Sequence, residues 1–119
     1  MGCRLSRKLE GNKKIMSGNI FSNIPKQLNE EQFDELLKDK GINIERIVSK
    51  GHTSPKTGWY KQQQNEWVLV LKGSAIIKVK DAEQITLEEG DYYHLPAYTE
   101  HKVSWTKPNI ETIWLAVHY

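Results

Sequence analysis

At 119 residues the chain has the length of one ordinary domain, which excludes a separate catalytic and regulatory pair. A hydrophobic share of 38% and a charged share of 27%, with no low-complexity tract, exclude a wholly disordered chain. No apolar run is longer than Trp67 to Leu71, far short of the ~20 residues that cross a bilayer, and the single cysteine, Cys3, excludes an internal disulfide. A reducing cytoplasm is therefore the expected compartment.

The formal net charge of +2 is unevenly distributed, with +4 in residues 1–16 and −2 in residues 17–119. Nucleic-acid binders carry a basic face or stripe, and the nearly neutral body has none, so no nucleic-acid partner is expected. Residues 1–16 lack apolar periodicity and read as a disordered basic leader. Met1-Gly2-Cys3-Arg4-Leu5-Ser6 fits the short pattern for N-myristoylation, with Cys3 available for a second acyl chain. So brief a pattern does not establish an anchor, and no stable membrane association is expected; no apolar stretch of a secretory signal follows the charges either.

Residues 17–41 read as an N-terminal segment carrying one helix at about 30–40. Asn29 can cap it with Gln32 at the third helical position, Leu28 and Phe33 can staple its start, and Lys38, Lys40 and Gly41 supply the stop. Its stripe of Phe33, Leu36 and Leu37 is narrow, which predicts a helix lying on a larger body.

From Ile42 onward the pattern is one of short strands. Ile42, Ile44, Ile47 and Val48 mark the first, and Gly51 to Gly58 forms a loop. Glu66–Leu71 and Ala75–Val79 make a hairpin through Lys72-Gly73-Ser74. Ile85 and Leu87, then Tyr92–Leu95, His101–Thr106 and Thr112–Tyr119, complete a set spaced as in an antiparallel sandwich or barrel.

Two strand phases pick out chemistry. Side chains alternate along a strand, so Glu66 shares a face with Val68 and Val70, while Trp67, Leu69 and Leu71 take the other. A carboxylate beginning an apolar row must be paired, protonated, metal-bound or at a wet mouth. His101 likewise falls on the face of Val103 and Trp105, as a structural histidine or as a ligand. His52, His94 and His118 are further histidines that a closed barrel could bring near it, His118 on the face of Trp114 and Ala116.

These residues resemble the cupin superfamily. Glu66, six residues and Gly73 reproduce the end of the first cupin motif, while Gly90, Pro96 and His101 fall in register with the second, after a spacer of sixteen residues. The resemblance implies an all-β fold, the cupin double-stranded β-helix or jelly-roll barrel, over residues 42–119, with the one N-terminal helix flanking it. It departs from the metal-binding pattern at Tyr60 and Gln62, which stand where a His-x-His pair is expected, and at Tyr98 and Trp105 in place of the second motif's Gly and Asn.

What the resemblance implies is a barrel pocket that binds a small molecule with Tyr60, Gln62, Glu66, Tyr98 and His101. Gln62, Glu66 and His101 are the candidate ligands of one divalent metal ion, and a pocket with no metal is equally compatible with them. The alternative function is a divalent-metal-dependent enzyme of the oxygenase, isomerase or epimerase kind. A homodimer is expected, because Trp67, Leu69 and Leu71 leave an apolar face that one narrow helix cannot cover.

Overall fold

The computed structural model describes residues 17–119 and, before them, only the backbone pairing of β1 (Arg7–Lys8) with β2 (Lys14–Ile15). The expected leader and its acylation pattern otherwise lie outside the described residues. Eight further strands follow: β3 (Gln32–Asp39), β4 (Ile42–Ser49), β5 (Glu66–Lys72), β6 (Ala75–Val79), β7 (Gln84–Leu87), β8 (Tyr92–Leu95), β9 (His101–Thr106) and β10 (Thr112–His118). They form a five-stranded sheet in the order β3-β4-β10-β5-β8 and a three-stranded sheet in the order β7-β6-β9, antiparallel throughout. Among the described residues no helix is long and apolar enough to cross a membrane.

The helix expected at about 30–40 is instead β3, paired with β4 from Gln32↔Val48 to Asp39↔Ile42. Local capping and stripe signals favoured a helix, but an unpaired β4 would leave a row of backbone groups at the sheet edge, and β3 satisfies them. A register shift between Glu35 and Leu37 accommodates Leu36. The residues of the supposed stripe, Phe33, Leu36 and Leu37, are 50%, 43% and 51% exposed, so no helical face is buried there.

The core lies between the sheets, built from Val68 and Val70 of β5, Ala75 and Ile77 of β6, Leu87 of β7, and Trp114 and Ala116 of β10. The Glu66, Val68, Val70 row of β5 is the buried one, and Trp67, Leu69 and Leu71 are partly covered on the other face. In β9 the expected common face of His101, Val103 and Trp105 breaks. A register shift between Ile76 and Ile77 of β6 makes Val103 pair with Ile77 but Trp105 with Ile76. The extra residue turns Trp105 outward, 39% exposed, and Thr106 inward.

Outside the core, Arg46 of β4 fastens the preceding segment. Its guanidinium donates to Asp34 Oδ2 at 2.9 and 2.7 Å and to the carbonyls of Ile20 and Ser22. Although partial burial acts to raise the Asp34 pKa, the Gln32 and Arg46 hydrogen bonds and the Arg46 charge prevail and hold it below the ordinary carboxylate value.

The turn joining β5 to β6 needs glycine. Gly73 has φ 91, and a Cβ there would strike the Thr112 hydroxyl and lie 2.7 Å from Thr112 Cα, a backbone atom that cannot yield. Gly90 has φ 90 but open space around it, so only its conformation matters. Gly73→Ala is expected to lower unfolding free energy by about 2 kcal/mol or more through strain and collision. Gly90→Ala should cost less, in chemical denaturation of both variants; equal costs would refute the close-approach account.

Candidate functional site

A cavity of about 130 Å³ is lined by side chains from both sheets. Val68, Ile77, Leu95, Val103 and Trp114 form its apolar wall, and Glu31, Glu45, Ser54, Tyr60, Gln62, Glu66 and His101 supply its polar groups. Phe33 and Tyr60, 50% and 39% exposed, lie where it meets solvent.

Pairing across the large sheet explains the placement. Glu66 opens β5 opposite His118 of β10 and Leu95 of β8, and one rung inward Val68 lies opposite Ala116 and Tyr93. Ala116 in turn faces Glu45 of β4, so Glu45 and Glu66 occupy neighbouring rungs of the same face. His101 opens β9 in the small sheet and is fixed by reciprocal backbone bonds with Tyr60, at 2.8 and 3.0 Å. That bridge sets the Tyr60 ring 5.8 Å from the His101 ring.

The structure thereby brings four of the expected site residues together. His101 Nε2 lies 3.3 Å from Glu66 Oε1, with side chains only 6% and 11% exposed. Gln62 Nε2 donates to the same carboxylate oxygen at 2.9 Å. Tyr98 is not among the lining residues: it is 61% exposed, and its contribution is a backbone N–H donated to the Gln62 carbonyl at 2.7 Å. It takes φ 64 at the position where the motif carries glycine, which explains the motif's preference for that residue.

Of the histidines that a closed barrel could bring near His101, His118 sits with Nε2 3.3 Å from Glu45 Oε1 and 3.9 Å from Glu66 Oε2. Two further lining residues, Glu45 and Glu31, are not among the expected site residues. Glu45 shares the phase of Ile47, a signal that alternation along β4 could have supplied. Glu31 precedes β3 and carries no pattern of its own. His52 and His94 point elsewhere: His52 Nδ1 accepts from the Lys50 N–H, and His94 Nε2 meets the Tyr119 hydroxyl at 3.0 Å.

The protonation of His101 follows from its neighbours. Nδ1 is 2.8 Å from the Thr99 carbonyl oxygen, and Nε2 faces a carboxylate, so each ring nitrogen meets an acceptor. Only the imidazolium donates to both. Burial acts to lower the His101 pKa, but the Glu66 hydrogen bond, the Thr99 bond and the Glu66 charge together carry it above its ordinary value. Burial also pushes the Tyr60 phenol up; the Ser54 hydrogen bond opposes this, and the charges of Glu31, Glu66 and Glu45 add to it.

A resident metal ion does not fit this arrangement. The candidate set of Gln62, Glu66 and His101 offers one imidazole and one carboxylate, and Gln62 turns its amide nitrogen, a donor, toward Glu66. Among the described residues no group of three or more His, Cys, Asp or Glu is placed to hold a metal ion. What the site does present is a paired carboxylate and imidazole at the edge of an apolar cavity.

A histidine whose pKa is raised on folding stabilises the fold fully below its unfolded value, near about 6.5, and that contribution fades as the pH rises through the folded value. The melting-temperature gap between the native protein and His101→Gln should therefore be larger at about pH 5.5 than at about pH 9. A gap constant over that range would overturn the doubly donating imidazolium.

A protein of Ralstonia eutropha, provisionally named as a mannose-6-phosphate isomerase, is 43% identical with a TM-score of 0.82, over 87% of this chain and 97% of its own. A cupin superfamily protein of Desulfitobacterium hafniense is 20% identical with a TM-score of 0.67, over 80% and 82%. A conserved protein of unknown function from Streptococcus pyogenes is 20% identical with a TM-score of 0.62, over 77% and 75%; these last two likenesses show the fold alone. No curated protein matches the chain. The cupin domain family matches residues 46–118, from the middle of β4 to the end of β10, and the chain belongs to it.

Proposed function

We propose that the protein binds a small polar molecule in the cavity around Glu66 and His101, with Tyr60 and Gln62 as further contacts. The observation that carries this reading is the Glu66–His101 pair at 3.3 Å, charged groups set against an apolar wall. Polar groups converging in an otherwise apolar pocket are the usual form of a ligand site. At about 130 Å³ the cavity is smaller than the ~300 Å³ at which drug-sized clefts begin, so the ligand is small.

A second reading, an isomerase, is favoured by the 43% identical protein of that name and by the same pair. A carboxylate and an imidazolium side by side can move a proton between adjacent carbons of a hydroxycarbonyl compound. Glu66 would accept the carbon-bound proton while His101 donates to the carbonyl oxygen, and Glu66 then delivers its proton to the neighbouring carbon as His101 recovers one from the hydroxyl on the carbon first deprotonated. Among the described residues no Lys or Arg lines the cavity, which favours an uncharged sugar over its phosphate ester. Incubation with mannose and with mannose 6-phosphate, read as ketose formation, separates the readings. Turnover lost in Glu66→Gln and His101→Gln supports the isomerase. No turnover, together with ligand-induced shifts of cavity resonances that these substitutions abolish, supports binding alone, and neither result in any form would overturn both.

We also propose that a second copy docks on the outward face of β5. Trp67, Leu69 and Leu71 are only partly buried there, and Tyr92, 66% exposed, stacks on Trp67 at 5.7 Å. Light scattering at micromolar concentration should give a dimer mass that Leu69→Glu reduces to a monomer. A monomer mass for the unmodified chain would reject the contact.

A further inference from the structure

We infer that the cavity takes a small molecule made of a planar aromatic ring joined by a short link to a hydroxyl; this rests on the small-molecule reading above and names its ligand class. Phe33 of β3 pairs with Ile47 of β4, Ile47 with Trp114 of β10, and Trp114 with Val70 of β5, so the four side chains of this rung share the face turned to the core. Val70 is 0% and Trp114 2% exposed, but Phe33, at the far end of the rung, is 50% exposed. The opposing sheet has three strands against five, and the apolar row outruns its cover. Tyr60, 39% exposed, stands in the same lining, so two aromatic rings edge the cavity with apolar surface still open to water.

The polar groups lie a fixed step away from that rim. Reciprocal backbone bonds hold Tyr60 to His101, with ring centroids 5.8 Å apart, and His101 faces Glu66 Oε1. That oxygen also accepts from Gln62, whereas Glu66 Oε2 meets, among the described residues, only His118 Nε2 at 3.9 Å, beyond hydrogen-bond reach. A ligand hydroxyl can therefore donate to Oε2 while the ring joined to it lies against Tyr60 and Phe33. Offset or edge-on ring pairs attract one another beyond the area they bury, so a flat aromatic ring is preferred there to a saturated ring of like size. A polyol, hydrated all round, would leave both rings uncovered.

The test uses three uncharged alcohols with the full chain at neutral pH: benzyl alcohol, cyclohexylmethanol and glycerol. Titration followed by the aromatic and imidazole resonances gives the three affinities, with the rim rings assigned by Phe33→Leu and Tyr60→Leu. Benzyl alcohol is expected to bind about tenfold more tightly than cyclohexylmethanol, and glycerol not at all, with cross-relaxation from the benzyl ring protons to both rim rings. Each substitution should cut the preference to about threefold. Phe33→Leu alters a half-exposed side chain on an edge strand, and it serves alone if Tyr60→Leu fails to fold. Equal binding of the two ring alcohols, or glycerol binding as tightly, overturns the aromatic ligand while the small-molecule reading survives. Light scattering in which Phe33→Leu turns a dimer into a monomer, with benzyl alcohol binding unchanged, assigns the rim to a second copy and overturns it too. No shift with any probe overturns the inference and counts against the binding reading as well.

Discussion

The structure turns on a carboxylate that folding removes from water. Glu66 begins a buried strand row, and the alternation that sends Val68 and Val70 into the core sends Glu66 after them. A bare carboxylate in that position would be costly to desolvate. The fold meets the cost from two directions, with Gln62 donating from the loop before β5 and His101 paired to it from the opposite sheet, while His118 of the adjacent strand lies 3.9 Å away. Tyr60 is bonded to the His101 backbone and Tyr98 to the Gln62 carbonyl, so the loop geometry is itself part of what keeps Glu66 paired.

This gives a physical account of a cupin site whose usual histidine pair is absent. A metal ion would supply positive charge at one point and hold several ligands around it. Here the positive charge next to Glu66 is the proton on His101, whose other nitrogen is tied to a backbone carbonyl. Tyr60 and Gln62, at the positions of the missing histidines, still face the cavity, one as an aromatic wall and the other as an amide donor. The scaffold has kept the convergence of the motif positions while changing what converges.

Much of this was legible in the sequence because it depends on short-range periodicity. The phase of β5 is set by strict alternation, the Lys72-Gly73-Ser74 turn by the one residue that fits against Thr112, and the position of His101 by the start of its strand. The failures were non-local. Residues 30–40 carry helix signals of their own, and only the edge of β4, which no window around Phe33 contains, decides for a strand. Trp105 was assigned to the wrong face because one extra residue in β9 against β6 reverses the alternation, and nothing in His101–Thr106 marks it. Glu31, Glu45 and His118 come from three separate parts of the chain, and their common destination depends on strand order, which alternation does not encode.

The position of β10 has a consequence for how the molecule is made. It lies between β4 and β5 in the large sheet, yet it follows every other strand of that sheet in the sequence. Until it inserts, the β3–β4 pair and the β5–β8 pair are two separate ribbons, each with an edge open to the strand that has not arrived. Closing such distant segments incurs loop entropy before any pairing offsets it, which makes assembly slow and leaves open edges available to other chains meanwhile. On a ribosome the large sheet cannot close while β10 is still in the exit tunnel, so its completion waits for the strand at its centre to emerge.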